Sequence, residues 1–95
     1  MEAKVLKSAV CPNGRFGEHH IGVEERECDG RTEYIWRNGY SDPCICSYEQ
    51  AIAFFNDRLK DASFYLLKEL SAAKDDLSRS LRIRDTQVFF ASINA

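Results

Sequence analysis

Four cysteines, Cys11, Cys28, Cys44 and Cys46, and two neighbouring histidines, His19 and His20, are the side chains of this sequence best suited to chemistry. They are enough to build a tetrahedral zinc site, which takes thiolate and imidazole donors. Cys44 and Cys46 bring two sulfurs close. Structural zinc sites, however, set their ligands in paired knuckles with two to four residues between them. Cys11 and Cys28 stand alone, and there is only one close pair. The spacing therefore favours four small buried hydrophobes over a metal centre, and no cofactor is expected.

A thiol nucleophile is the other chemistry on offer, with Cys11, Cys28 or Cys46 attacking and His19 or His20 as base. Cys46 stands just before a predicted helix start, where the positive end of the helix dipole lowers a thiol pKa. Any chain with four Cys and two His offers such pairs by chance, and no catalytic signature surrounds these. Glu24-Glu25 and Asp75-Asp76 are adjacent acids that point apart on a strand or a helix, so they read as solvated faces rather than an acid–base pair. Gly14-x-x-Gly17 lacks the Lys and the strand–helix setting of a phosphate loop. The expectation is a protein that is not an enzyme.

Charge points to partners. Arg79, Arg82 and Arg84, with Phe89 and Phe90 nearby, could touch nucleic acid. Yet 13 Lys+Arg against 15 Asp+Glu leaves a net charge of −2, whereas a generic nucleic-acid binder is basic. The same value is too small for a DNA mimic. Glu18, Glu24, Glu25, Glu27 and Asp29 form a run of acids on one predicted strand and its turn, suited to a basic partner.

The elements that must position these groups divide the chain in two. Every Gly and Pro lies within residues 12–43, so the first part reads as strands and turns and the rest as helix. Asp29-Gly30 lies between two β-prone runs and predicts a two-residue hairpin, because both turn positions need positive φ. That turn sets a register: Cys28 opposite Arg31, Arg26 opposite Glu33, Glu24 opposite Ile35, Val23 opposite Trp36, Ile21 opposite Asn38. One face then carries Ile21, Val23, Tyr34 and Trp36 and should be buried. The other carries Glu24, Arg26, Glu33 and Arg37, charges that can pair across strands. Residues 3–11 read as a further strand, joined through Asn13-Gly14 or a longer loop. A meander over residues 1–43 follows.

Ser47 and Gln50 predict a capping box, with Glu49 in the first turn. From there Ile52, Phe55, Leu59, Ala62, Leu66, Leu70, Ala73, Leu77 and Leu81 recur at steps of three and four, the spacing of one buried helix face. Within the helical stretch 47–84, a helix from Tyr48 to Arg84 would be about 55 Å long. A compact chain of this length has a radius of gyration of only about 12 Å, so the helix overhangs or breaks. Residues 60–63 offer caps for a break, but with neither Gly nor Pro a single long, bent helix is favoured over a helical hairpin. Residues 86–93 are β-rich and read as a fourth strand or as a tail that docks on a partner.

The expected fold is therefore α+β: one domain over residues 1–95, with a three- or four-stranded antiparallel sheet packed on a long C-terminal amphipathic helix. Phe54, Phe64, Tyr65 and Leu67 lie outside the main apolar stripe, and one small sheet cannot cover both sides of a helix. They predict an interface in which two long helices pair in a homodimer. The sequence has no apolar leader and no membrane-length apolar run, which sets the cytoplasm as the expected compartment and free thiols as the expected cysteine state. The function expected is a small non-catalytic protein-binding module. It would be an inhibitor or accessory factor, of the kind phages and mobile elements encode, that occludes a surface of its partner. The alternative is a zinc-stabilised module binding nucleic acid through Arg79, Arg82 and Arg84.

Overall fold

Asp29 and Gly30 both adopt positive φ, 52° and 77°, in the computed structural model of the chain, as a two-residue turn of this type requires. The structure describes residues 3–12, 18–39 and 41–93. The turn joins β2 (Glu18–Cys28) to β3 (Arg31–Asn38). Their register pairs Cys28 with Arg31, Arg26 with Glu33, Glu24 with Ile35, Val23 with Trp36 and Ile21 with Asn38, as the turn predicts. β1 (Lys4–Pro12) pairs with β2, and the short β4 (Cys44–Cys46) pairs with β3. The sheet is antiparallel in the order β1-β2-β3-β4. The Asn13-Gly14 turn lies outside the described residues.

The two faces of the sheet differ as the alternation requires. Ile21 and Val23 are buried, and Tyr34 and Trp36 pack beside them against the helices. On the opposite face Arg26 Nη2 lies 2.9 Å from Glu33 Oε2, and Arg37 bonds Glu24. One residue departs from the pattern. Ile35 is on the charged face and is only 2% exposed, paired with Glu24 on one side and Ile45 on the other.

The helical half is not one long helix. α1 (Tyr48–Ala72) begins at the predicted capping box: Ser47 Oγ accepts from Gln50 N–H, and the Gln50 side chain accepts from Ser47 N–H, each at 3.1 Å. It runs unbroken through residues 60–63 and stops at Ala73. α2 (Asp76–Ser92) then starts under its own cap, where Asp75 accepts from Ser78 N–H at 2.8 Å. Neither Gly nor Pro makes this break; Asp75 does, because a carboxylate at the N-cap satisfies amides that a continuing helix would leave to backbone carbonyls. The chain turns back after it. Ser92 Oγ accepts a 2.9 Å bond from Val10 N–H on β1, which α2 could not reach if it ran on from α1. Residues 86–93 are thus neither strand nor tail. They form the last turns of α2 and its C-cap, and Ser92 covers part of the otherwise open edge of β1.

Packing follows from this return. Ala51, Phe55, Ala62 and Leu66 of α1 and Phe89 of α2 join Ala9, Cys11, Ile21 and Val23 in one core. Small residues at 51 and 62 let α1 lie close to its neighbours. Phe89 is the one wholly buried side chain of α2. No helix among the described residues is long and apolar enough to cross a membrane.

Candidate functional site

The sheet keeps the cysteines apart. Cys11 is buried on β1, Cys28 is half-buried at the end of β2, and Cys44 and Cys46 are on β4. β1 and β4 are opposite edges of the sheet. Three strand spacings separate them, about 14 Å, whereas the sulfurs of a zinc site each lie about 2.3 Å from one metal. The four cysteines therefore cannot share one ion, and among the described residues no three His, Cys, Asp or Glu side chains gather as a ligand set. All four thiols are free.

The topology makes one Cys–His neighbour pair, Cys11 opposite His19. Its chemistry is poor. Cys11 is wholly buried, and burial pushes its thiol up although the Arg58 charge pulls it down. The reactive species is the thiolate, so this sulfur is a weak nucleophile. His19 Nε2 is engaged with Asn38 Oδ1 at 2.6 Å. Its ring covers Gly39, whose φ of +59° and lack of a Cβ leave room for it; a side chain there would overlap the imidazole.

The run of acids does not form one surface. Glu24 is held by Arg37 on the outer face. Glu25 and Glu27 belong to the other side of the strand, where Glu25 lies opposite Tyr34 and Glu27 accepts from Thr32 Oγ1 at 2.7 Å. Desolvation, then the Glu25 charge, raise the Tyr34 hydroxyl. Asp29 is exposed in the turn. The side chain of Glu18 lies outside the described residues. The alternation of the strand splits what adjacency in sequence suggested.

The basic cluster splits too. Arg82 lies 3.7 Å from Glu69 of α1 and 3.3 Å from Asp85. Arg79 and Arg84 are five residues apart, about 140° around the helix, and do not share a face.

The apolar side chains form the distinctive surface. Phe64 and Leu67 stand 65% and 61% exposed. Phe64 follows the buried Phe55 by nine residues, about 180° around α1, so it points directly away from the core. Phe54 is also exposed, but its ring rests 6.1 Å from Trp36. Tyr65 packs against the core instead. The predicted interface of Phe54, Phe64, Tyr65 and Leu67 therefore divides into an outward pair and two residues partly used within the chain.

α2 is where sequence reasoning missed most. Leu77, Leu81, Ile83, Val88 and Phe90 are all exposed, Leu77 at 72%. Meanwhile Ser78, Arg82, Asp85, Thr86 and Ser92 are half-buried beside Phe89. The helix turns a largely polar face inward and carries its apolar side chains on the two flanks of that face. Leu77, Leu81 and Val88 fall on one stripe (positions i, i+4 and i+11), with Ile83 and Phe90 on another. The sequence holds the signal in Asp75. Once a new helix is phased from that cap, the only apolar residues near its buried face are Phe89 and Ile93.

Comparison with protein-family models, with curated proteins and with solved structures finds no match. The reading of this surface rests on its geometry.

Proposed function

We propose that this chain is a small non-catalytic protein-binding module that works by laying the helical hairpin α1–α2 against another protein and occluding the surface it covers. One observation carries the reading: α2 faces inward with Ser78, Arg82, Asp85, Thr86 and Ser92 and leaves Leu77, Leu81, Ile83, Val88 and Phe90 exposed on its two flanks. A helix of a self-sufficient monomer has the opposite arrangement. Exposed apolar stripes of this kind on a small protein mark interaction surfaces.

The magnitudes limit what this face can do. Completing the burial of each of five partly exposed side chains gains about 1–2 kcal/mol. The three of one stripe, Leu77, Leu81 and Val88, yield about 3–6 kcal/mol, at the low end of the roughly 4–15 kcal/mol cost of association. The α2 stripes alone do not make a tight complex; Phe64 and Leu67 on α1 have to contribute. A second copy of the chain supplies the same surfaces, so a homodimer through the hairpins is the first assembly proposed. Free thiols at all four cysteines suit a reducing compartment such as the cytoplasm.

The test is a concentration series by native mass spectrometry and light scattering on the wild type and on a triple variant, Leu77→Gln, Leu81→Gln and Val88→Thr. The wild type should form dimers at higher concentration. The variant should stay monomeric with an unchanged melting midpoint, because these side chains contribute little to the monomer's own core. A wild type that is monomeric throughout and no less soluble than the variant would overturn the proposal. The nucleic-acid alternative has less support in this geometry, since Arg82 is committed to Glu69 and Asp85.

A further inference from the structure

We propose that Cys44 and Cys46 form a two-coordinate site for a soft monovalent cation of the Cu(I) and Ag(I) class, held between their two sulfurs at the β4 edge of the sheet. The two residues alternate on one strand, so their side chains share a face. Cross-strand pairing with β3 holds them there, Cys44 opposite Trp36 and Cys46 opposite Tyr34. Cys44 is exposed and Cys46 half-buried, which gives an ion a way in and a sheltered second ligand.

The strand geometry discriminates between the reactions open to two thiols. Alternate residues on an extended strand stand about 6.6 Å apart, Cβ as well as Cα. A disulfide needs Cβ atoms about 3.8 Å apart, so closing one requires breaking β4 away from β3. A linear S–M–S unit needs sulfurs only about 4.6 Å apart, two metal–sulfur bonds of about 2.3 Å. Two side chains on one face can reach that separation by turning about χ1, with the strand intact.

The number of donors selects the metal. Zinc takes four ligands, and among the described residues no group of three or more ligating side chains is present. Soft thiolates alone favour Cu(I)-like ions, which are satisfied by two sulfurs in line. Binding breaks two S–H bonds and forms two metal–sulfur bonds. Two protons pass to solvent and no electron moves. Affinity therefore falls as pH is lowered.

Trp36 is the chain's one tryptophan and lies across the strand from Cys44, so it reports occupancy directly. Ag(I), which needs no reductant, is titrated into the reduced full-length chain against an excess of a small monothiol. Trp36 fluorescence and native mass are read together. One Ag(I) per chain should be retained with quenching of Trp36, about 100-fold more tightly than by Cys44→Ser, because the second sulfur binds intramolecularly. Cys28→Ser should retain the ion as the wild type does. Cys44 is exposed, so Cys44→Ser folds and the comparison stands. Loss of all Ag(I) from the wild type to the monothiol would overturn the proposal. Equal retention by Cys44→Ser would do the same, as would ready closure of a Cys44–Cys46 disulfide under mild oxidant.

Discussion

Cys11 shows how burial disarms a side chain that looks reactive in the sequence. It is sealed between the sheet and the helices, and burial raises its thiol more than the Arg58 charge lowers it. In the native chain a thiol reagent should label Cys44 first and Cys11 only on unfolding, as timed alkylation read by peptide mass will show. The same shift has a pH consequence. The folded pKa lies above the unfolded one, near 8.5, so the contribution of Cys11 is complete below that value. It is lost as pH rises, because the unfolded state gives up its proton first. The urea midpoint should fall between pH 7 and 9.5, and less steeply in Cys11→Ala. The slope does not vanish in that variant, since burial also raises Cys46. At this scale the sequence was informative about identity and poor about neighbours. The isolation of Cys11 and Cys28 followed from spacing alone, whereas the separation of Glu24 from Glu25 and Glu27 depends on which face each occupies.

α2 exists as a separate element because of Asp75, and the reason it was hard to foresee is physical. Leu66, Leu70, Ala73, Leu77 and Leu81 keep a helical step straight through the break, so apolar periodicity carries no mark of the turn. Thr86, Val88, Phe89 and Phe90 are β-formers, yet tertiary packing of Phe89 and the bond from Val10 to Ser92 hold them helical. The hairpin of β2 and β3, by contrast, was legible because Asp29-Gly30 is a local device that needs no distant partner. Two outcomes follow for α2. The bonds from the Ser78 amide and hydroxyl hold the Asp75 carboxyl below its ordinary value. Its stabilisation is present above the ordinary carboxylate range and is lost as pH falls through the lowered value. Asp75→Ala should therefore reduce helicity by circular dichroism at neutral pH, while Asp75→Asn, which still caps, should preserve it and remove the acid-range change. Phe89→Ala should cost about 3–5 kcal/mol in denaturant unfolding. Amide exchange in α2 should rise before that in α1, because Phe89 is the wholly buried side chain that fastens α2 to the core.

The molecule as a whole is a rod, 56 × 21 × 20 Å with a radius of gyration of 15.5 Å, against about 12 Å for a compact chain of this length. Part of the elongation comes from α1, about 37 Å long, which a sheet four strands wide cannot cover; α2 folds back along it with its polar side inward. A rod of this kind has more apolar surface than its core can use, and two copies laid hairpin to hairpin would give each helix a second neighbour, as in a four-helix bundle. The force involved can be identified without knowing the partner. Apolar contact is little affected by sodium chloride and is strengthened by sulfate. Contact through arginines and phosphates weakens steeply and linearly in the logarithm of salt concentration. Sedimentation equilibrium of the wild type across a sodium chloride series should give a nearly constant association constant, and ammonium sulfate should raise it. Leu77→Gln with Leu81→Gln should abolish association in both salts, whereas Arg79→Ala with Arg84→Ala should leave it within about twofold, because exposed charges at this distance are screened. A steep salt slope that disappears with the two arginines would move the working surface from the apolar stripes of α2 to its charged positions.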